Sequence, residues 1–212
     1  MTPAIVITCG PASEPIDRVR RITNFSTGEL GVLLAEAFAQ AGHRVICCKG
    51  HGATWPSPTP PITVRRFITN DDLLSVLRNI SQTENVSAIY HAAALTDFRV
   101  VEITGDGGKP LPAGKIPSTV SELTLKLVPA PKVLAYLRDL FPAATITAWK
   151  YEIEGSRAEV VEKGRRQIAE NRIDASVLNG SAYGPGFGIL TPDGSLVEYR
   201  NKIALVERLI HF

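Results

Sequence analysis

A chain of 212 residues is long enough to bury a sizeable core in one domain. Its 44% hydrophobic and 21% charged content excludes a disordered segment, and a net charge of +2 is too small to mark a nucleic-acid or membrane-surface binder. Three cysteines, Cys9, Cys47 and Cys48, include no CxxC pair, so zinc and dithiol redox chemistry are poor readings and a reduced, cytoplasmic protein is expected. No apolar run approaches the ~18 residues of a membrane span, and the N-terminus lacks a signal-peptide layout.

In chain order, six short apolar runs read as buried parallel strands: 4–9, 44–48, 63–67, 88–92, 145–149 and 175–178. Helical patterns lie between most of them. The first carries Leu30, Leu33, Leu34, Ala37, Phe38 and Ala41 on one stripe, with Ser26 and Glu29 at capping-box spacing and Gly42 at its end. The second begins near Asn70, the third follows Pro131, the fourth spans about 156–171, and a last helix spans 202–210. Residues 51–61 form a Pro-rich surface loop, and 104–118 a second long loop rich in Gly and Pro. Between the third helix and that loop, 123–128 alternates as a half-exposed strand, and 187–190 with 196–199 reads as a hairpin. The expectation is a single domain over 1–212. Its fold class is α/β: a Rossmann-like, doubly wound, mostly parallel sheet with helices on both faces and a small β extension.

Residues 10–31 link the first strand to the first helix, the place where open α/β sheets bind anions. Amides near Ser26, Thr27 and Gly28 favour phosphate at the helix start, and Gly28 and Gly31 permit close approach. A capped surface helix with packing glycines explains the same pattern. Neither GxGxxG nor GxxxxGK[ST] occurs. Arg20 offers a fork for carboxylate or phosphate, and Asn24 an uncharged donor and acceptor suited to an acyl group. Taken alone, a surface ion pair for Arg20 and a turn role for Asn24 are the commoner explanations. His91–Phe98 ends the fourth strand. Its small alanines, Ala93 among them, let a nucleotide lie against the backbone, and Asp97 is a candidate ligand for a metal–phosphate group or a turn cap. Lys109 and Lys115 lie on the second long loop, where a lysine can close over a triphosphate or simply face solvent. Lys163, Arg165 and Arg166 mark a basic helix face.

Together these segments resemble phosphopantothenoylcysteine synthetase, the phosphopantothenate–cysteine ligase family of coenzyme A biosynthesis. The resemblance covers nearly the whole chain. It rests on Glu14-Pro15-Ile16-Asp17, Val19-Arg20, Ile22-Thr23-Asn24 and Ser26-Thr27-Gly28, then Ala92-Ala93-Ala94 with Asp97-Phe98. Lys115-Ile116-Pro117-Ser118 with Pro131-Lys132, and Asn171, Asp174 and Asn179, complete it. It implies that CTP or ATP activates the carboxylate of 4′-phosphopantothenate as an acyl-nucleotide, with pyrophosphate released and Mg²⁺ offsetting charge, before L-cysteine displaces the nucleoside monophosphate. It implies Asn24, Lys115 and Arg20 as catalytic residues. Gly10, Ser26, Gly28, Ala93, Asp97, Pro131, Trp149 and Arg166 are implied for the nucleotide, and Asp97 for the metal. The resemblance is to the monofunctional type, so no flavin is expected. A homodimer is implied, with the alternating strand after Lys115 as the candidate contact. The chain departs from the family pattern at Cys9–Ser13, at Ala148–Glu152, at Glu170 one turn after Arg166, and at Asn179-Gly180. Two other readings are a non-catalytic nucleotide-binding paralogue and a nicotinamide-dependent oxidoreductase. The second lacks both GxGxxG and a mid-chain Tyr-x-x-x-Lys.

Overall fold

The computed structural model describes residues 2–111 and 114–212, so Pro112 and Ala113 of the second long loop lie outside the described residues. Six parallel strands form the body of the sheet: β1 (Ala4–Cys9), β4 (Arg44–Gly50), β5 (Thr63–Phe67), β6 (Val86–His91), β9 (Thr145–Tyr151) and β10 (Ala175–Asn179). Two antiparallel strands, β11 (Phe187–Leu190) and β12 (Leu196–Tyr199), extend it to eight, in the order β12-β11-β10-β9-β6-β1-β4-β5. The chain moves outward from β1 through β4 to β5, then returns to the other side of β1 with β6. This reversal is the switch point at which such sheets open a crevice beyond their strand ends.

The helices form two layers. α1 (Glu29–Gln40) and α5 (Lys202–Leu209) cover one face, over Ile7, Cys9, Cys47 and Val177. α2 (Asn70–Thr83), α3 (Leu134–Leu140) and α4 (Arg157–Asn171) cover the other, over Val6, Ile46, Ile89 and Leu178. Capping boxes at Thr69/Asp72 and Ser156/Glu159 start α2 and α4. The box expected at Ser26/Glu29 does not form. Gly28 is the N-cap residue of α1, in the left-handed region at φ 80°, with no side-chain cap; Thr27 Oγ1 accepts from Glu29 N instead, at 3.2 Å.

Two small pairs stand outside the sheet. β2 (Ser13–Pro15) and β3 (Arg21–Thr23) form a tight hairpin within the first loop. β7 (Phe98–Thr104) and β8 (Thr124–Pro129) form an antiparallel arm. The sequence shows β8 but not β7, and β7 turns the ends of the second long loop into a built element that carries Lys115 on its connection.

Candidate active site

The floor of the crevice is made of backbone. Gly10 O accepts from Ala94 N and Ala94 O from Ala12 N, both at 3.0 Å, so the ends of β1 and β6 remain laced beyond the sheet. Gly10 has φ 76°. A side chain there would meet Ala53 Cβ at 2.6 Å, and one at Gly28 would meet Ala53 Cβ at 3.1 Å and the Gly10 backbone at 3.4 Å. Gly10, Gly28 and Ala53 are therefore packed against one another, at the start of α1, where free amides and the helix dipole favour an anion. Ser26 is half-buried beside them. Lys49, 2% exposed, donates Nζ to Trp55 O, and Trp55 N donates to Thr27 O at 2.9 Å. This buried lysine ties the Pro-rich loop to the cradle. Burial, with Arg66 nearby, depresses its pKa.

Asn24 is exposed on the loop after β3, and its Nδ2 donates to Leu95 O at 2.7 Å, which fixes the amide over the segment after β6. Ala93 N donates to Thr8 Oγ1 at 3.3 Å, and Thr8 Oγ1 lies 2.8 Å from Nδ1 of buried His91. Burial lowers the His91 pKa to about 4, so the ring is neutral at pH 7 and serves the floor rather than proton transfer. Asp97 is exposed and paired with Lys132, next to Pro131.

The hairpin turn carries the second charged group. Asp17 Oδ1 accepts from Val19 N and Arg20 N at 2.8 and 2.7 Å. Its Oδ2 accepts from Arg20 Nη1 at 2.7 Å and from Ile116 N at 3.1 Å. Both Arg20 terminal nitrogens also donate to Ile116 O at 3.3 Å. Burial alone would raise the Asp17 carboxyl, but three backbone N–H groups and the Arg20 guanidinium outweigh it and hold it below its ordinary range. Asp17 and Arg20 thus latch both polar groups of the Ile116 backbone and place Lys115, itself exposed, beside the hairpin. A cavity of about 200 Å³ opens here, lined by Arg18, Arg20, Arg21 and His51 among others. A larger one, about 460 Å³, lies between α4 and the Thr191–Gly194 turn, and no residue of the cradle lines it.

Gly10, Ser26, Gly28, Asn24, Ala93, Asp97 and Pro131 therefore lie around the β1 and β6 ends, while Arg20 and Lys115 sit at the turn of the hairpin that leaves β1. Trp149 sits on β9 and packs against the layer under α1 and α5. Its Nε1 is buried without a hydrogen-bond partner, as is Asn179 Oδ1 on neighbouring β10. In the parallel register Trp149 pairs with Val177, which puts Asn179 two residues on along the same face. Both atoms are closed off from solvent and neither residue lines either cavity, so the structure does not present them to a ligand. Arg166 is not brought to the cradle: it is exposed on α4, in the opposite layer. Among the described residues no group of three or more His, Cys, Asp or Glu could hold a metal ion. A lone Asp97 suits a cation brought in on substrate phosphates, and not an independent protein cage. Sequence reasoning passed over Lys49, the latch made by Asp17, and Asn70. A lysine directly after the apolar run Val45–Cys48 was the visible signal for the first.

An open, doubly wound sheet with a glycine-packed strand end at its switch point defines a Rossmann-like α/β protein. The chain belongs to the family described as DNA/pantothenate metabolism flavoprotein C-terminal domain, whose model matches residues 2–208. It is similar to the coenzyme A biosynthesis bifunctional protein CoaBC of Methanocaldococcus jannaschii, at 29% identity over 82% of this chain and 40% of that protein. The CoaBC of Escherichia coli K12 is 33% identical over 62% of this chain and 30% of that protein. The chain spans about two-fifths of the length of the first of these relatives. Among solved structures, the DNA/pantothenate metabolism flavoprotein of Streptococcus pneumoniae superposes with a TM-score of 0.85 at 25% identity, covering 99% of this chain and 97% of that one. A Cab2 mutant in complex with phosphopantothenate-cysteine shares the fold, with a TM-score of 0.74 at 20% identity, over 99% of this chain and 84% of that one.

Proposed function

We propose that this chain is a phosphopantothenate–cysteine ligase, with residues 1–212 acting as one unit in the cytoplasm. The observation that supports the reading is the Gly10–Gly28 cradle at the switch point with the Asn24 amide pinned to Leu95 O beside it; the hairpin that leaves β1 holds Ile116, the residue after Lys115. Family membership supports it.

In this reading the triphosphate of CTP or ATP lies on Gly10, Ser26, Gly28 and Ala93. Trp149 and Asn179 border the nucleoside, with Pro131 at its edge; Arg166, exposed on α4 in the opposite layer, is not placed on it. Asp97 would hold Mg²⁺ together with the phosphates, and the ion would supply charge neutralisation on the triphosphate. The basic cavity at Arg18, Arg21 and His51 suits the phosphate monoester end of 4′-phosphopantothenate.

The substrate carboxylate oxygen attacks the α-phosphorus, the bond to the bridging oxygen breaks, and pyrophosphate leaves. Lys115 offsets the charge that builds on that leaving group. Asn24 holds the acyl carbonyl without offering a proton that would discharge the mixed anhydride. The amino nitrogen of L-cysteine then attacks the acyl carbon, nucleoside monophosphate departs with the bonding pair, and the new amide nitrogen loses a proton. Arg20 serves the intermediate or this second step.

A homodimer fits the surface. Phe98, Val101, Leu123 and Leu127 are exposed on and beside the arm, with Val19, Ile22 and fully exposed Phe25 on and beside the neighbouring hairpin. Apolar exposure of this extent marks an interaction face.

The test supplies the protein with 4′-phosphopantothenate, cysteine and either CTP or ATP. Pyrophosphate and phosphopantothenoylcysteine form together with at least one of the two triphosphates. Pyrophosphate release with pantothenate alone, or no turnover with either nucleotide, rejects the reading.

A further inference from the structure

Asn70 is 1% exposed, and it is the first residue of α2, outside every group discussed so far. Its Nδ2 donates to Thr96 O at 2.8 Å and to Pro131 O at 3.0 Å. Its Oδ1 accepts from Thr96 N at 3.3 Å and lies 3.3 Å from Thr96 Oγ1. Thr96 Oγ1 lies equally close to Glu14 Oε1 on β2. Two carbonyls require an NH₂ group, and an N–H requires an oxygen, so the partners themselves fix which way the amide points. Both donors and the acceptor are in use.

Thr96 lies two residues before β7 begins, and Pro131 two residues after β8 ends. Asn70 therefore grips both ends of the arm where they leave the body, next to the last backbone bond there, Ala130 N to Asp97 O at 2.9 Å. The arm's connection is held separately, by Asp17 and Arg20 on Ile116, the residue after Lys115. Among the described residues the path from the body to Lys115 is held at its root by buried Asn70, with exposed Arg99 of β7 paired to Asp71 of α2 beside it, and at its connection by Asp17 and Arg20.

We propose that Asn70 is a positioning residue for Lys115: by clamping both roots of the β7–β8 arm it sets the angle at which the arm presents Lys115 to the reacting phosphates. The kinetic part rests on the ligase reading; the clamping part does not. Aspartate at this position turns an oxygen on two carbonyls and loses both donors, with almost no change of shape.

The experiment compares wild type, N70D and the milder N70S by amide hydrogen exchange and by steady-state kinetics. Exchange in 98–104 and 124–130 accelerates at least tenfold in N70D, while β1 and β4 stay within twofold of wild type. The kcat for pyrophosphate release falls about tenfold, with KM for the triphosphate within twofold. In a Lys115→Ala background N70D causes no further loss of kcat. Should N70D fail to fold, N70S is read by the same criteria. Uniform acceleration across the sheet, or an equal kcat loss with and without Lys115, overturns the proposal. A wild-type protein that releases no pyrophosphate overturns the ligase reading and the kinetic part, and the exchange pattern still decides the clamp.

Discussion

The floor of the crevice and the arm beside it are held by different means. The floor is backbone against backbone: Gly10, Gly28 and Ala53 leave no room for a methyl group, and the β1 and β6 ends continue to hydrogen-bond past the sheet. The arm is a two-stranded ribbon with exposed apolar residues, joined to the body through polar side chains, Asn70 at its root and Asp17 with Arg20 at its connection. Packing fixes the part that would hold phosphates. Adjustable hydrogen bonds fix the part that would bring a lysine to them.

The sharpest way to break this contrast is Gly10→Ala. It combines a left-handed backbone at φ 76° with a contact 2.6 Å from Ala53 Cβ. Together these cost about 3 kcal/mol or more. Chemical denaturation should show G10A/A53G recovering the overpacking share and keeping a backbone penalty of roughly 1–2 kcal/mol. Full recovery would mean that the conformation at Gly10 is not strained for alanine.

The arm should respond differently. Asp17→Asn removes the charge that gathers three backbone N–H groups and Arg20, and releases Ile116. Some stability should go with it, because the carboxylate is fully buried and accepts four hydrogen bonds. The kcat for pyrophosphate release should fall about 10²-fold, the scale of a 1 Å misplacement of a reacting group. A large loss of stability with normal kcat would show that the latch serves the fold alone.

Acid separates the two regions by a smaller amount. Burial depresses the folded-state pKa of His91 to about 4 from an ordinary 6.5. Its contribution is full above the unfolded value and is lost as pH falls from there toward the folded one, about 1 kcal/mol by pH 5.5. Asp17 is also held below its ordinary range, so its latch persists until the pH has fallen below that range. The floor should loosen before the arm releases. His91→Gln should flatten the stability curve between pH 7 and 5; an unchanged curve would place the acid sensitivity elsewhere.

The same division governs what the sequence revealed. All six parallel strands were legible; the central ones are short apolar runs buried on both sides, as in Ala4–Cys9, whereas the edge strand Thr63–Phe67 is mostly exposed and shows only through its Val64 and Phe67. The arm was half legible: Thr124–Pro129 alternates, but Phe98–Thr104 is exposed, charged and bulged, so no period marks it. Strands β2 and β3, three residues each, were too short to show a pattern. The Ser26–Glu29 spacing misled because Gly28 takes a conformation that moves the helix start past serine. Within the site, glycines and motif residues could be read locally. The latch from Asp17 to Ile116 spans 99 positions, and Asn70 reaches 26 and 61 positions along the chain. Such bonds leave no local trace.

The central claim is that the floor binds the triphosphate while the latched arm supplies Lys115 to the first chemical step. Rapid quench with 4′-phosphopantothenate and triphosphate, and no cysteine, tests it most directly. Wild type should release one burst of pyrophosphate per site and retain acyl-nucleotide; Lys115→Ala should lose the burst while binding triphosphate with unchanged affinity. A full burst in the Lys115→Ala variant, or pyrophosphate formed without phosphopantothenate, would contradict the account.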